Sequence, residues 1–190
     1  MTEKRGGIQA WHIILLTAIL GLLILFYKGL WGNPSYIPPV LIGTAAPQFE
    51  APDLYKKEKV TLGQFKGKVV ILNFWSSWCE ECKLEHSSLQ ALNQQYSRDP
   101  HFVILGVDYQ DKEDLAKEYL KQYGNSFQHI IDSQGRISID YGVYGVPETF
   151  VIDQNGVIRH KEIGPLVGET YTNFTNNILE PLLREKSAKQ

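Results

Sequence analysis

The chain has 190 residues, 19 Lys+Arg against 21 Asp+Glu for a formal charge of -2, and 43% hydrophobic residues, which bounds it to one ordinary domain with an appendage. It carries no broad cationic field and no run of basic residues interleaved with aromatics, which argues against nucleic acid as a partner. Its two cysteines, Cys79 and Cys82, are too few for a disulfide-stapled scaffold and too few alone for a four-ligand zinc site, so an apolar core must hold the fold.

The first element is Gly6 to Tyr27, a 22-residue stretch without an acidic or basic residue. About 20 apolar helical residues cross a bilayer core, so this reads as a transmembrane helix. A cleaved signal peptide would have a shorter apolar run and small residues at a cleavage site, whereas Lys28-Gly29-Leu30-Trp31 follow here, so the helix is an uncleaved anchor. Lys4 and Arg5 precede it and only Lys28 closes it, which places the N-terminus in the cytoplasm. The rest of the chain then lies outside, in the oxidising periplasm if the host is a bacterium. His12 falls in the second turn and reads as an interfacial side chain. The expected organisation is a stub and anchor over 1–28, a stiff spacer with three prolines over 29–43, and a folded domain over 44–190. That domain is mildly acidic, with 16 basic and 20 acidic residues once Lys4, Arg5, Lys28 and Glu3 are set aside.

Beyond Thr44 the pattern alternates between strand-like and helix-like runs, the mark of an α/β sheet covered by helices. Val69 to Phe74 and Phe102 to Val107 are near-continuous apolar runs of the kind buried on both faces. Between them, Leu84, Leu89 and Leu92 predict a helix over Cys79 to Tyr96. Asp111 to Tyr123 predicts another, with acids in its first turn and Gly124-Asn125 as its stop. Thr149 to Ile152, the turn Asp153-Gln154-Asn155-Gly156, and Val157 to Lys161 form a hairpin signal. Thr170 to Lys186 reads as a final helix that Pro181 kinks or breaks.

The chemistry concentrates in Trp78-Cys79-Glu80-Glu81-Cys82, where the first buried strand hands over to a helix. A Cys-x-x-Cys at that junction is a redox motif by position as well as by spacing. Unsatisfied N–H groups and the helix dipole favour a thiolate on Cys79, the expected nucleophile, and Cys82 lies one turn in as the resolving thiol. A purely structural disulfide is the bland alternative, but closing so short a loop removes only roughly 2 kcal/mol of chain entropy. Metal binding by a Cys79-x-x-Cys82-x-x-x-His86 cluster with Glu85 is a second alternative, weakened because Cys79 turns outward while His86 lies a turn further along, and because the only methionine is Met1. No metal and no cofactor is expected. Glu80 and Glu81 oppose the thiolate, which points to a reductant rather than a strong oxidant. No cysteine stands in a Thr-x-x-Cys setting, which weighs against peroxidase chemistry.

Together with this motif, Gly142-Val143-Tyr144-Gly145-Val146-Pro147-Glu148-Thr149-Phe150 resembles the G-V-x-G-x-P-E-T-F signature of the membrane-anchored thioredoxin-like proteins of cytochrome c maturation, of the CcmG/DsbE type and related to ResA. Ile37 to Gly43 and Gly106 to Tyr109 extend the likeness over nearly the whole chain. The resemblance implies a thioredoxin fold with an inserted strand–helix element, for which the 68-residue interval from Cys79 to Pro147 leaves room near Ile137 to Tyr141. It implies a cis-proline at Pro147 facing the cysteines, with the Val146 backbone open for strand-like pairing to a substrate peptide, and Trp78 beside it. It matches Glu85 to an acid beneath the active site that relays a proton to Cys82, with a solvated surface acid as the alternative. Glu148 either tunes the pair, contacts substrate or is structural. Many relatives place a proline where this chain has Glu81, a departure that bears on redox potential. The implied activity is reduction of the haem-motif disulfide of apocytochrome c, with a membrane thiol reductase of the CcdA or DsbD type as electron donor. A general or copper-centre thiol reductant and a Cys/His metal-binding module are the rival readings.

Overall fold

Helix α1, Ala10–Leu30, opens the chain in the computed structural model, which describes residues 10–30 and 41–187. The basic residues Lys4 and Arg5 and most of the predicted spacer lie outside those residues. At 1.5 Å per residue α1 is about 32 Å long, the thickness of a bilayer core. Ala10–Lys28 has a mean hydropathy of 2.3 and makes one helix long and apolar enough, by length and composition, to cross a membrane. The hydroxyl of Thr17 donates to the carbonyls of Ile13 and Ile14 at 3.0 and 2.9 Å, so this polar group is satisfied within the helix.

The chain divides into two units, residues 1–38 and 39–190. In the second, a short hairpin of β1 (Glu50–Pro52) and β2 (Lys59–Thr61) precedes β3 (Val69–Trp75), α2 (Glu80–Tyr96), β4 (Phe102–Tyr109), α3 (Glu113–Tyr123), β5 (Gln128–Asp132), α4 (Arg136–Asp140), β6 (Glu148–Ile152), β7 (Ile158–Ile163), α5 (Gly168–Asn173) and α6 (Glu180–Ser187). The main sheet has the order β5-β4-β3-β6-β7. β3 pairs in parallel with β4, and β4 with β5, while β6 runs antiparallel to both β3 and β7. All seven residues of β3 are buried, as its apolar run requires of a central strand.

Alternation along the strands divides the core. Val69, Ile71, Ile104 and Val151 meet Leu89 and Leu92 of α2 and Phe174 and Leu179 of the C-terminal helix. Val70, Leu72, Phe74, Leu105, Val107 and Phe150 face the other way, onto Tyr141 and the residues Ala51 and Val60 of the small hairpin. Each such aliphatic or aromatic side chain contributes about 1.5–3 kcal/mol by leaving water. Leu84 departs from the expected stripe and is exposed. Cys82, Glu85 and His86 occupy the buried face of α2 instead.

The folded unit also begins earlier than Thr44. Leu41 packs against the core, and the Gly43 N–H donates to the Ile158 carbonyl at 2.8 Å. Between α3 and Pro147 the chain adds the strand β5 and the short helix α4, the latter overlapping the Ile137 to Tyr141 region. Two elements were not legible beforehand: the β1–β2 hairpin, whose three-residue strands are too short to alternate, and β5, whose buried His129 interrupts the apolar pattern. At the C-terminus, the widened turn Phe174–Leu179 is of π type and immediately precedes α6. Pro181 lacks an N–H and crowds the carbonyl four residues back, so the helix opens its ladder there and continues.

Gly106 on β4 is fixed by close approach. A Cβ there would lie 2.2 Å from His129 Nδ1 and 2.9 Å from Trp75 Nε1. Gly106→Ala is expected to destabilise the domain by about 1–3 kcal/mol through overpacking. Denaturant unfolding of the variant measures this, and unchanged stability would mean that these rings yield freely.

Candidate active site

The segment from β3 to α2 is held by side chains and backbone of the β4–α3 connection. Ser76 Oγ donates to the Tyr109 carbonyl at 2.5 Å, and the Ser77 N–H donates to Asp111 Oδ2 at 2.6 Å. The Cys79 N–H closes the turn on the Ser76 carbonyl at 3.2 Å. Cys79 is thereby placed as the N-cap of α2, with extended φ and ψ of -89° and 111°, and its Sγ accepts from the Cys82 N–H at 3.0 Å. This is the position where a sulfur anion gains most from the free N–H groups and the helix dipole. Cys79 and Cys82 are joined in a disulfide with their Cα atoms 5.3 Å apart. Cys79 keeps 6% of its surface exposed and Cys82 only 1%, so attack from outside reaches Cys79 first.

The loop before β6 meets the pair from the other side. Its Val146–Pro147 bond is cis, and the Val146 carbonyl oxygen lies 3.5 Å from Cys79 Sγ. Trp78 is 57% exposed next to Cys79. Cys79 and Val146, expected together from the sequence, thus meet at one sulfur, with Trp78 the exposed residue just before it in the chain. Glu148 is placed elsewhere. Its carboxylate is buried, accepts from the Tyr144 N–H at 3.1 Å, and pairs at 2.9 Å with Lys161, which also donates to the Gly142 carbonyl at 2.8 Å. A buried side chain tied on both oxygens does not reach a docked peptide. Of the alternatives for Glu148, the geometry favours pinning the Gly142–Pro147 loop.

Glu85 lies beneath the pair, only 1% exposed, so it is not a solvated surface acid. Asn73 Nδ2 donates to its Oε1 at 2.7 Å and the Leu166 N–H to its Oε2 at 3.0 Å. Burial pushes the carboxyl up to about 7, against the pull of these two hydrogen bonds. Asn73 also donates to Thr149 Oγ1 at 2.9 Å, which links β3, α2 and β6 below the disulfide. Tyr119 of α3 donates its hydroxyl to the Cys82 carbonyl at 3.2 Å, and its ring stacks obliquely on Trp75. Sequence reasoning missed Asn73, Tyr119 and Asp111. A lone polar residue inside a strand buried on both faces was the available signal for Asn73.

Glu80 and Glu81 are exposed, and Glu80 is paired with Lys83 at 2.5 Å. The lysine offsets part of the negative charge that these residues place near Cys79. His86 turns its Nε2 to the Gly124 carbonyl at 2.8 Å, and burial lowers its pKa. Among the described residues no group of three His, Cys, Asp or Glu side chains is arranged to hold a metal ion.

Residues 42–161 match the model of the AhpC/TSA family. The chain is 34% identical to the thiol:disulfide interchange protein DsbE of Pseudomonas aeruginosa over 168 residues, 87% of this chain and 91% of that one. The chain belongs to the DsbE group of this family. Its likeness to the Escherichia coli DsbE is 36% over 141 residues, covering 70% of this chain and 71% of that one. A crystal structure from Chlorobium tepidum, described as a DsbE, superposes with a TM-score of 0.68 at 28% identity, over 75% of this chain and 97% of that one. The fold is therefore thioredoxin-like, and the protein is a DsbE-type thiol–disulfide oxidoreductase. The disulfide at the α2 N-terminus is the group in the structure suited to that exchange.

Proposed function

We propose that this DsbE-type protein is a reductant in cytochrome c biogenesis, held by α1 in a bacterial inner membrane with its folded domain in the periplasm. Cys79 and Cys82 are the redox couple. In the reduced protein, the Cys79 thiolate attacks one sulfur of the haem-motif disulfide of apocytochrome c, forms a mixed disulfide and releases the first substrate thiolate. Cys82 then attacks Cys79 Sγ, which expels the second substrate thiolate and leaves the Cys79–Cys82 disulfide. Two electrons pass to the substrate, and its two thiolates take up two protons. Glu85 is the buried acid placed to accept the proton that Cys82 loses. Trp78 and the Val146–Pro147 edge receive the peptide. A membrane thiol reductase of the CcdA or DsbD type returns two electrons to the disulfide.

The observation that carries this reading is the approach of the Val146 carbonyl to within 3.5 Å of Cys79 Sγ, because it sets a peptide-binding edge beside the more accessible sulfur. The Gly142–Phe150 signature supports apocytochrome c as the substrate. Lys4 and Arg5 ahead of the apolar helix support the orientation. The test compares rates at which the reduced full chain, in detergent, reduces oxidised peptides with and without the haem-attachment Cys-x-x-Cys-His sequence. The haem-motif peptide is expected to react about tenfold faster, equivalent to about 1.4 kcal/mol of selective docking. Equal rates would favour a general thiol reductant.

A further inference from the structure

The buried polar side chain to which the exchange chemistry so far gives no part is Asn73. It lies in the middle of β3, opposite Gly106 of β4 and Thr149 of β6, in a strand buried along its whole length. An amide in such a strand is costly unless its donors are engaged. Its Nδ2 donates twice, to Glu85 Oε1 at 2.7 Å and to Thr149 Oγ1 at 2.9 Å. An amide nitrogen carries two hydrogens, so these acceptors use both and fix the orientation of the side chain. Asn73, Glu85 and Thr149 are all buried, so water does not compete for either bond.

We propose that Asn73 is a positioning residue for the resolving step: its amide holds the Glu85 carboxylate ionised and oriented beneath Cys82, ready to take the proton that Cys82 loses. This rests on the reading of Glu85 as the proton acceptor and deepens it, and it is independent of which protein is the substrate. The surroundings leave the task to hydrogen bonds. Leu166, in the loop after β7, donates its N–H to Glu85 Oε2 at 3.0 Å. His86, next to Glu85 on α2, is turned to the Gly124 carbonyl at 2.8 Å and kept neutral by burial. Tyr119 of α3 is neutral as well, because burial pushes its phenol up. Glu148 precedes Thr149 on β6, so strand alternation sets it on the opposite face of the sheet, where Lys161 pairs with it. No cation among these groups offsets the charge of Glu85, and its two donors are the Leu166 N–H and the Asn73 amide. A hydrogen bond to the charged form favours that form, so loss of the Asn73 amide raises the proton affinity that burial has already raised. A larger share of Glu85 is then protonated near neutral pH and unable to accept from Cys82.

The test uses the reduced full chain in detergent and a symmetrical nitrobenzoate disulfide whose released thiolate absorbs visible light. One thiolate leaves when Cys79 attacks the probe, and the second leaves when Cys82 attacks Cys79 Sγ, so the second phase reads resolution. Its rate is measured from about pH 5 to 9. The wild type is expected to show a lower limb near about 7, where Glu85 ionises. In Asn73→Ala that limb is expected to move up by about one pH unit, the equivalent of one hydrogen bond to a charged group. Glu85→Gln is expected to abolish the limb, and adding Asn73→Ala to Glu85→Gln is expected to change the profile no further. A limb that Glu85→Gln abolishes but Asn73→Ala leaves in place would overturn this inference alone. A limb that persists in Glu85→Gln would remove Glu85 as the acceptor and the inference with it. Should Asn73→Ala not fold, NMR of the reduced wild type decides. The Asn73 side-chain amide resonance is expected to move with the same midpoint as the Glu85 carboxyl carbon, and an amide that stays fixed through that titration would overturn the proposal.

Discussion

Cys79→Ser is expected to abolish disulfide reduction, by a factor of at least about a thousand, while Cys82→Ser is expected to stall the reaction as a stable mixed disulfide with substrate. The asymmetry follows from the helix N-terminus. Cys79 caps α2 with its sulfur at the free N–H groups and retains some exposure, whereas Cys82 sits one turn in with almost none. A hydroxyl at residue 79 is not ionised near neutral pH and has no nucleophile to offer. A hydroxyl at residue 82 leaves attack by Cys79 intact but removes the group that releases it. Non-reducing electrophoresis after mixing with a disulfide peptide reads both results. Trapping through Cys82 in the Cys79→Ser variant would reverse the assigned roles.

Glu85→Gln is expected to change the pH dependence of stability. The unfolded carboxyl loses its proton near 4.5 and the folded one near about 7. Between these values the folded state binds more protons, so stability is full below about 4.5, declines as pH rises, and is lowest above about 7. The loss is on the order of 3 kcal/mol, at about 1.4 kcal/mol for each unit between the two values. Glutamine keeps the shape without the charge, so the variant is expected to lack this slope. Denaturant unfolding of the oxidised protein near pH 5 and pH 8 measures it, and the difference between wild type and variant isolates Glu85. Equal slopes would mean that the folded carboxyl loses its proton at the same pH as the unfolded one, so that burial does not raise it. The same substitution is expected to slow exchange, because the acceptor for the Cys82 proton is gone.

Sequence made the site's outline legible where short-range rules apply. The junction of a buried strand and a helix located Cys79 at the cap, Asn155-Gly156 located the β6–β7 turn, and Gly124 ended α3 with φ of 110°. In the turn, Asp153 Oδ1 accepts from the Asn155 and Val157 N–H groups, and Gly156 takes φ of 79°. What stayed hidden depends on residues far apart in sequence. Asn73 meets Thr149 across 76 positions, and Asp111 meets Ser77 across 34. The interior carboxyl of Glu85 was visible as a residue one turn beyond Cys82, but the Leu166 N–H that its Oε2 accepts from comes from 81 positions away. The Glu148–Lys161 pair was invisible for the same reason: only the β6–β7 pairing sets both residues beside the Gly142–Pro147 loop. The early start of the domain at Leu41 escaped notice because its tie to Ile158 is likewise non-local.

The direction of electron flow is tested most directly by the reduction potential of the Cys79–Cys82 couple, measured by equilibrating the full chain in detergent against defined dithiol buffers. A reductant is expected to lie near or below the value for thioredoxin, roughly -270 mV, and a value near roughly -120 mV, that of a strong oxidant, would contradict the proposed role.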